Sequence, residues 1–377
     1  MTSAATEREI DKWRLWGINK FLDVNVSLSL KQEKNGDPPP SLDLISSIYR
    51  KSEEEAKQLL KDARSSLKEM DIRWVIFGAC QFLDQFPLRT SKENGHVLLK
   101  RNDVFRTFGK KESQGMKLYS EAAEAYSLFK KVRDLNNLPL HQFIEDYMHA
   151  GSMECTPQIN QESGLDNGTS MPGFEISLSR SSDLFGQVGA ETTESIPKVP
   201  RTLFELIKHT SYNHYKASSQ GWDDTNKLDE MKDGDMHYLI IRLNGGQLPE
   251  LEKRWSKDSD LDQTIVGFLS FMITQEEEEN VIYIYEIHIS EHFRNCGLGR
   301  HLFNVVESIG GATDMDKAML TVFRCNVRAR RWYDSRGYEV DKMSPRPRKL
   351  RGGRSIEPDY EILSKHLQKE PTKKNKS

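Results

Sequence analysis

Two short segments carry side chains whose types and spacing could do chemistry. Tyr283, Tyr285 and Glu286 stand together in "YIYEIHI", and Arg294, Gly297 and Gly299 follow in "RNCGLGRHLF". A carboxylate such as Glu286 can take a proton from an α-amine, whose pKa of about 7.7–8.0 is already close to neutrality. Glycines lack Cβ and let a ligand approach main-chain amides, while the start of a helix adds unpaired N–H donors and the positive end of its dipole. Arg294 and Arg300 bring formal charge for an anion. A glycine turn with no ligand has the same pattern, and an exposed strand carboxylate would account for Glu286 alone. By period two, Tyr283 and Tyr285 share one strand face, and Glu286 looks to the other unless a bulge re-aims it.

These residues need a strand before the glycines and a helix after them. "NVIYIYEIHI" supplies the strand, and "GRHLFNVVESIGG" repeats apolar residues at helical spacing through Leu298, Leu302, Val305, Val306 and Ile309. Around them the pattern predicts a helix at "RTLFELIKHTSYNHYKAS" and strands at "FEISLS", "MHYLIIRL", "TIVGFLSFMI" and "KAMLTVF". A helix at "NVRARRWYDSRG" and strands at "YEVD" and "YEILSK" complete the set. Strand and helix alternate with hairpins in the middle, which is an α/β (α+β) mixed sheet covered by helices.

Upstream, "EIDKWRLWGINKFLDV" reads as a helix, "GDPPP" at 36–40 breaks it, and Ser52 with Glu55 forms a capping box that opens a helix to about Met70. A further helical pattern runs from Met116 to Val132, and 151–173 is polar enough to be a surface loop. No catalytic constellation precedes Met116, so this part reads as a helical packing or docking module. The tail "KEPTKKNKS" reads as disordered.

At 377 residues, with 36% hydrophobic and 29% charged residues, the chain is expected to be globular and soluble. A net charge of -3 gives no overall attraction to nucleic acid or membrane, so no membrane and no specific nucleic-acid partner is expected. The four cysteines show no metal-ligand spacing, so no metal is expected and a reducing compartment follows. The amino terminus has neither a signal peptide nor a transit-peptide pattern, which points to nucleus and cytoplasm.

R-x-x-G-x-G between a long strand and a helix resembles the pyrophosphate loop of the GNAT acetyltransferase superfamily, and Asn326, Ala329, Tyr333 and Gly337-Tyr338 match its next helix and strand. "GWDDTNKLDEMKDGDMHYLI", "YIYEIHI", "MLTVFRCN" and "DYEILSK" are similar to its NatD subfamily, which acetylates the amino termini of histone H4 and histone 2A. The resemblance implies a GNAT fold over 174–366, a wrapping helical segment and loop over 113–173, a helical extension over 1–112 and a basic tail over 367–377. It implies direct transfer from acetyl-CoA to an amine with both bound at once. Histone tails and the ribosome are the implied partners. Another amine substrate, a protein lysine or small molecule, and an idle acetyl-CoA-binding scaffold stay open.

Carried over residue by residue, the resemblance makes Glu286 the base, directly or through water, with Tyr285 beside it and Tyr333 as proton donor to the leaving thiolate. It places the cofactor along Ile287, His288 and Ile289, over Arg294, Asn295, Cys296, Gly297, Leu298, Gly299 and Arg300, and beside Asn326. Tyr215, Trp222, Tyr283, Tyr285 and Thr321 would line the peptide, and Glu276 would meet the substrate arginine. Two departures stand out. Thr274 occupies a position where the subfamily implies an aspartate, with Glu277 able to substitute, and "SPRPRKLRGGR" puts a basic loop where a small or acidic one is implied.

Overall fold

The computed structural model describes residues 73, 76–77, 80, 101–109, 111–155, 173–186, 196–243, 261–277, 279–349 and 355–369. The helices expected before Gly36 and over 52–70, the break at 36–40, most of the polar loop, residues 350–354 of the basic loop and the tail from 370 lie outside them. Met1–Lys131 and Val132–Ser377 form two compact units.

In the first unit, helix α1 (Arg101–Gly109) is followed by α2 (Glu112–Asn137), which continues into the second unit. Phe77 packs 5.2 Å from Tyr126, and Phe105 packs 5.8 Å from Tyr119, ring centre to ring centre. Gly115 lets α1 and α2 approach closely, since a Cβ there would overlap the Phe105 backbone.

The second unit starts with α3 (Leu140–Tyr147) and the short strand β1 (Glu154–Cys155). Then come β2 (Phe174–Arg180), α4 (Ser181–Phe185), α5 (Lys198–Ala217), α6 (Asp224–Met231), β3 (Met236–Leu243), β4 (Ile265–Glu276) and β5 (Glu279–Ile289). The chain closes with α7 (Leu298–Ala312), β6 (Lys317–Phe323), α8 (Val327–Ser335), β7 (Glu339–Val340), the hairpin β8 (Arg348–Lys349) and β9 (Ser355–Ile356), and β10 (Tyr360–His366). Eight strands form one sheet in the order β1-β2-β3-β4-β5-β6-β10-β7, and only β5 and β6 run parallel within it. This is the GNAT fold, a mixed and mostly antiparallel sheet flanked by helices. No described helix is long and apolar enough to cross a membrane.

Two apolar layers hold the helices to the sheet. Leu302, Val305, Val306 and Ile309 of α7 bury with Leu269, Phe271, Ile282 and Ile284 on one face. Leu203, Phe204, Leu206 and Ile207 of α5 bury with Tyr238, Ile240, Phe268 and Met272 on the other. Each such side chain stabilises by about 1.5–3 kcal/mol, against about 0–1 kcal/mol for an exposed ion pair, so packing dominates. At the described end of the basic loop, Arg348 and Lys349 of β8 pair antiparallel with Ile356 and Ser355 of β9. Two readings need correction. The segment 151–173 is not wholly a loop, because Glu154 and Cys155 pair with Glu175 and Phe174. The helix α6 was not anticipated, although Asp223 caps it by accepting from the Asn226 amide at 2.8 Å.

Two irregularities shape the centre of the sheet. Ser270 pairs with Glu286 and Phe271 with Ile284, so Tyr285 is an extra residue, a bulge in β5. Pairing of β5 with β6 stops at Ile284–Leu320, although β5 runs on to Ile289 and β6 to Phe323. The two strands therefore diverge just beyond the bulge. Gly267 on β4 lies opposite Ile289, and a Cβ there would stand 2.8 Å from the His288 carbonyl oxygen and 2.6 Å from Ile289 Cδ1. The usual gain of about 0.4–1 kcal/mol from Gly→Ala is then smaller than an overpacking cost of about 1–3 kcal/mol. Gly267→Ala is expected to lower the urea midpoint of unfolding, and an unchanged or higher midpoint would show that the end of β5 yields freely.

Candidate active site

The bulge decides where Glu286 points. Ser270 and Met272 of β4 share one face, their partners are Glu286 and Tyr283, and so these two residues look the same way, toward α5 and α6. Without the extra residue, Glu286 would face α7. Helix α5 buries Leu203, Leu206 and Ile207 at helical spacing, which carries Thr210 and Tyr215 over the same face. Helix α6 buries Lys227, Leu228 and Met231 and so turns Lys227 inward as well.

Glu286 sits in a cage of donors. Its Oε1 accepts from the Tyr215 hydroxyl at 2.6 Å and from Lys227 Nζ at 2.9 Å, and its Oε2 lies 2.7 Å from His288 Nε2. His288 Nδ1 lies 2.5 Å from Thr210 Oγ1. Lys227 Nζ also donates to the Tyr215 oxygen at 2.7 Å and to Glu230 Oε1 at 2.9 Å, and stands 4.5 Å from the Tyr215 ring centre. Burial works to raise the Glu286 pKa, but Lys227, His288 and the Tyr215 bond outweigh it and hold the carboxyl well below the usual range. Burial works to lower the Lys227 pKa, and Glu286 and Glu230 outweigh it in turn, so the ammonium is held above its ordinary range. Both groups are charged in a place that is almost dry.

Aromatic side chains frame this pair. Tyr215 packs edge-on to Trp222 at 5.4 Å and to Phe323 at 5.0 Å, and the Trp222 indole N–H donates to Asp224. Tyr283 and Tyr285 lie 5.2 Å apart, and the Tyr283 hydroxyl meets Thr321 Oγ1 at 2.6 Å. Burial pushes the Tyr283 phenol up to about 12, the Thr321 bond pulling the other way, and burial also raises Tyr285. Glu276 ends β4 opposite Glu279, and its charge works to raise both phenols. Tyr333 is buried beside Phe303 and Trp332, and burial and then the Glu286 charge push its phenol up, so its hydroxyl stays protonated.

After Ile289 a 3-10 turn (Glu291–Phe293) leads to the glycines. Asn295 and Gly297 have φ of 64° and 84°, the left-handed region, and Gly297 immediately precedes α7. A Cβ on Gly297 would meet nothing within 4 Å, so the turn opens onto free space at the start of a helix. Arg294 Nε donates to the Ile289 carbonyl at 3.2 Å and Arg328 to Asn295 Oδ1 at 3.3 Å, while Arg300 is exposed. Open backbone, a helix N-terminus and three guanidinium groups suit an anion such as a diphosphate. Among the described residues, no group of three His, Cys, Asp or Glu side chains could hold a metal ion.

Several residues differ from what the sequence implied. His288 directs its ring to Glu286 and Thr210, so only its main chain is available to a cofactor. Cys296 and Leu298 are buried and point into the core, and burial raises the Cys296 thiol pKa, which makes it unreactive. Asn326 uses its side chain to cap α8, accepting from the Ala329 amide at 3.2 Å. Thr274 is buried on β4. Lys227, Glu230 and Thr210 were missed. The Asp223 cap followed by Leu228 and Met231 at a spacing of three would have indicated an amphipathic helix and thus an inward Lys227.

Residues 216–338 match the acetyltransferase (GNAT) family, a stretch that contains the glycine turn and the whole of β5. The chain is 30% identical over 166 residues to N-alpha-acetyltransferase 40 of Saccharomyces cerevisiae, which covers 38% of this chain and 52% of that protein. It thus spans about half the length of that curated relative. Among solved structures, Arabidopsis thaliana NAA60 in complex with a bisubstrate analogue is 13% identical, covering 52% of this chain and 99% of that one, with a TM-score of 0.31. The ribosomal-protein-S18-alanine N-acetyltransferase of Escherichia coli is 13% identical over 53% of this chain and 97% of that one, with a TM-score of 0.29. With the sheet order, the diverging strands and the glycine turn already in place, the match makes residues 216–338 of this chain similar to the GNAT acetyltransferase family.

Proposed function

We propose that this protein moves the acetyl group of acetyl-CoA onto the free amino-terminal amine of chains that begin Ser-Gly-Arg-Gly, as histone H4 and histone 2A do, in nucleus or cytoplasm. The observation that carries the reading is the bulge at Tyr285, which turns Glu286 toward Tyr283 where β5 and β6 separate. The name of the yeast relative supports the choice of an amino-terminal amine over other amines.

Acetyl-CoA, when bound, supplies a thioester whose acyl carbon forms a bond to the amine nitrogen as its bond to sulfur breaks. Gly297 and the amides opening α7, with Arg294 and Arg300, would hold its phosphates. Glu286 accepts a proton from the amine, directly or through water. Its depressed pKa makes it a weak base, which suffices for an amine close to neutrality and lets the proton pass on to solvent. The Tyr333 hydroxyl, still protonated, would give its proton to the leaving sulfur and take one back from water. Tyr283, Tyr285 and Thr321 wall the peptide, and Glu276 attracts its arginine, with Thr274 leaving one carboxylate fewer than the resemblance implies.

Thr274 also supports a second reading, a GNAT enzyme with another amine substrate. Incubation with acetyl-CoA and Ser-Gly-Arg-Gly-Lys, free or blocked at its amino terminus, separates the two. Only the free peptide is expected to be acetylated, and equal modification of the blocked peptide at lysine would remove the amino-terminal assignment. Glu286→Gln should lower kcat by on the order of 100-fold or more with acetyl-CoA affinity kept. Unchanged turnover would place the base elsewhere. Gly297→Val should fold yet bind acetyl-CoA about tenfold more weakly or worse, about 1.4 kcal/mol, by calorimetry, and normal affinity would count against the cradle.

A further inference from the structure

Lys227 is 4% exposed, and its ammonium has three N–H groups and three acceptors within 2.9 Å: Glu286, Glu230 and the Tyr215 oxygen. Its orientation is therefore fixed. Tyr215 accepts a hydrogen bond from Lys227 and donates its own O–H to Glu286 Oε1. That oxygen holds two bonds, as many as it has lone pairs, whereas Oε2 holds a single bond, from His288. A carboxylate offers about four acceptor sites, so the site left on Glu286 is on Oε2.

We propose that Lys227 is a positioning residue for the transfer: with Tyr215 it saturates Oε1, so that the substrate amine gives up its proton at the remaining lone pair of Oε2. The inference rests on the acetyl-transfer reading above. The proton leaves the amine nitrogen, makes an O–H bond at Oε2, and passes from the neutral carboxyl group to water. The groups that face Glu286 are Lys227 and Glu230 from α6, Tyr215 from α5, and His288 from β5 with Thr210 behind it. Tyr238 of β3 and Tyr333 of α8 feel its charge. Of these, Lys227 exerts the largest charge effect on Glu286.

The alternative is that Lys227 only neutralises a buried carboxylate for stability. Removing the cation would raise the Glu286 pKa, so that ionised Glu286, present above that pKa, is lost at a higher pH as the solution is acidified. Wild type, Lys227→Arg and Lys227→Met are compared with acetyl-CoA and Ser-Gly-Arg-Gly-Lys across the pH range in which each is folded. Lys227→Met is expected to lose kcat by on the order of 100-fold with the KM for acetyl-CoA unchanged, and the acid limb of its kcat profile moves to higher pH. Lys227→Arg keeps the wild-type limb and most of the turnover. Wild-type turnover in Lys227→Met, or equal losses in both variants with the limb unmoved, overturns the proposal.

Carbon-13 NMR of the Glu286 carboxyl tests the charge placement without any assay, even where Lys227→Met does not fold. In the wild type it should stay ionised well below the ordinary glutamate pKa of about 4.3, and titration at that value overturns the inference. A wild-type protein that acetylates no amine while Glu286 stays ionised would instead defeat the acetyl-transfer reading.

Discussion

One extra residue in β5 sets the terms for everything around it. A strand that kept its register past Ile284 would have sent Glu286 toward α7, into the apolar layer of Leu302, Val306 and Ile309. The bulge at Tyr285 sends the carboxylate to the other face, where α5 and α6 bring Tyr215 and Lys227. It also coincides with the point where β6 lets go of β5, so the carboxylate lies beside a gap in the sheet. A bulge that leaves ladder groups unpaired costs stability locally, and the apolar layers on both faces are deep enough to carry it.

The second constraint is electrostatic. An isolated carboxylate as buried as Glu286, whose side chain is 11% exposed, would take up a proton and become neutral. Lys227, His288 and Tyr215 reverse that tendency, and the group stays an anion. Removing one partner of such a pair costs about 3–5 kcal/mol, because the other is left charged and dry. The same contacts therefore serve stability and the orientation of one oxygen toward the gap. Glycine at 297 performs the matching task across the site, since its left-handed φ and missing side chain keep main-chain amides in the open.

Much of the framework was legible from the chain alone. Apolar runs marked β3, β4, β5 and β6, helical spacing marked α5 and α7, and the glycines marked the turn between them, because these patterns are local. The bulge was not legible: period two places Glu286 opposite Tyr283, and only the register against Ser270 and Phe271 reverses this. Nor was the Lys227 contact, since its partner is 59 residues away and depends on both that register and the packing of α6. His288 was read as a cofactor contact, because nothing local says that Thr210, 78 residues earlier, stands behind its ring and turns it away. Cys296 and Leu298 belong to the glycine motif by sequence, yet the turn points their side chains into the core and offers only their backbone.

A crystal structure with coenzyme A and a Ser-Gly-Arg-Gly peptide tests the central claim, that Glu286 Oε2 faces the reacting centre. The account predicts the phosphates over Gly297, the sulfur in the gap beyond Ile284, and the peptide nitrogen within about 2.6–3.2 Å of Oε2 or joined to it by one water. A peptide nitrogen on the α7 side of the sheet, or one that reaches Glu286 only through Oε1 with Lys227 displaced, would contradict it.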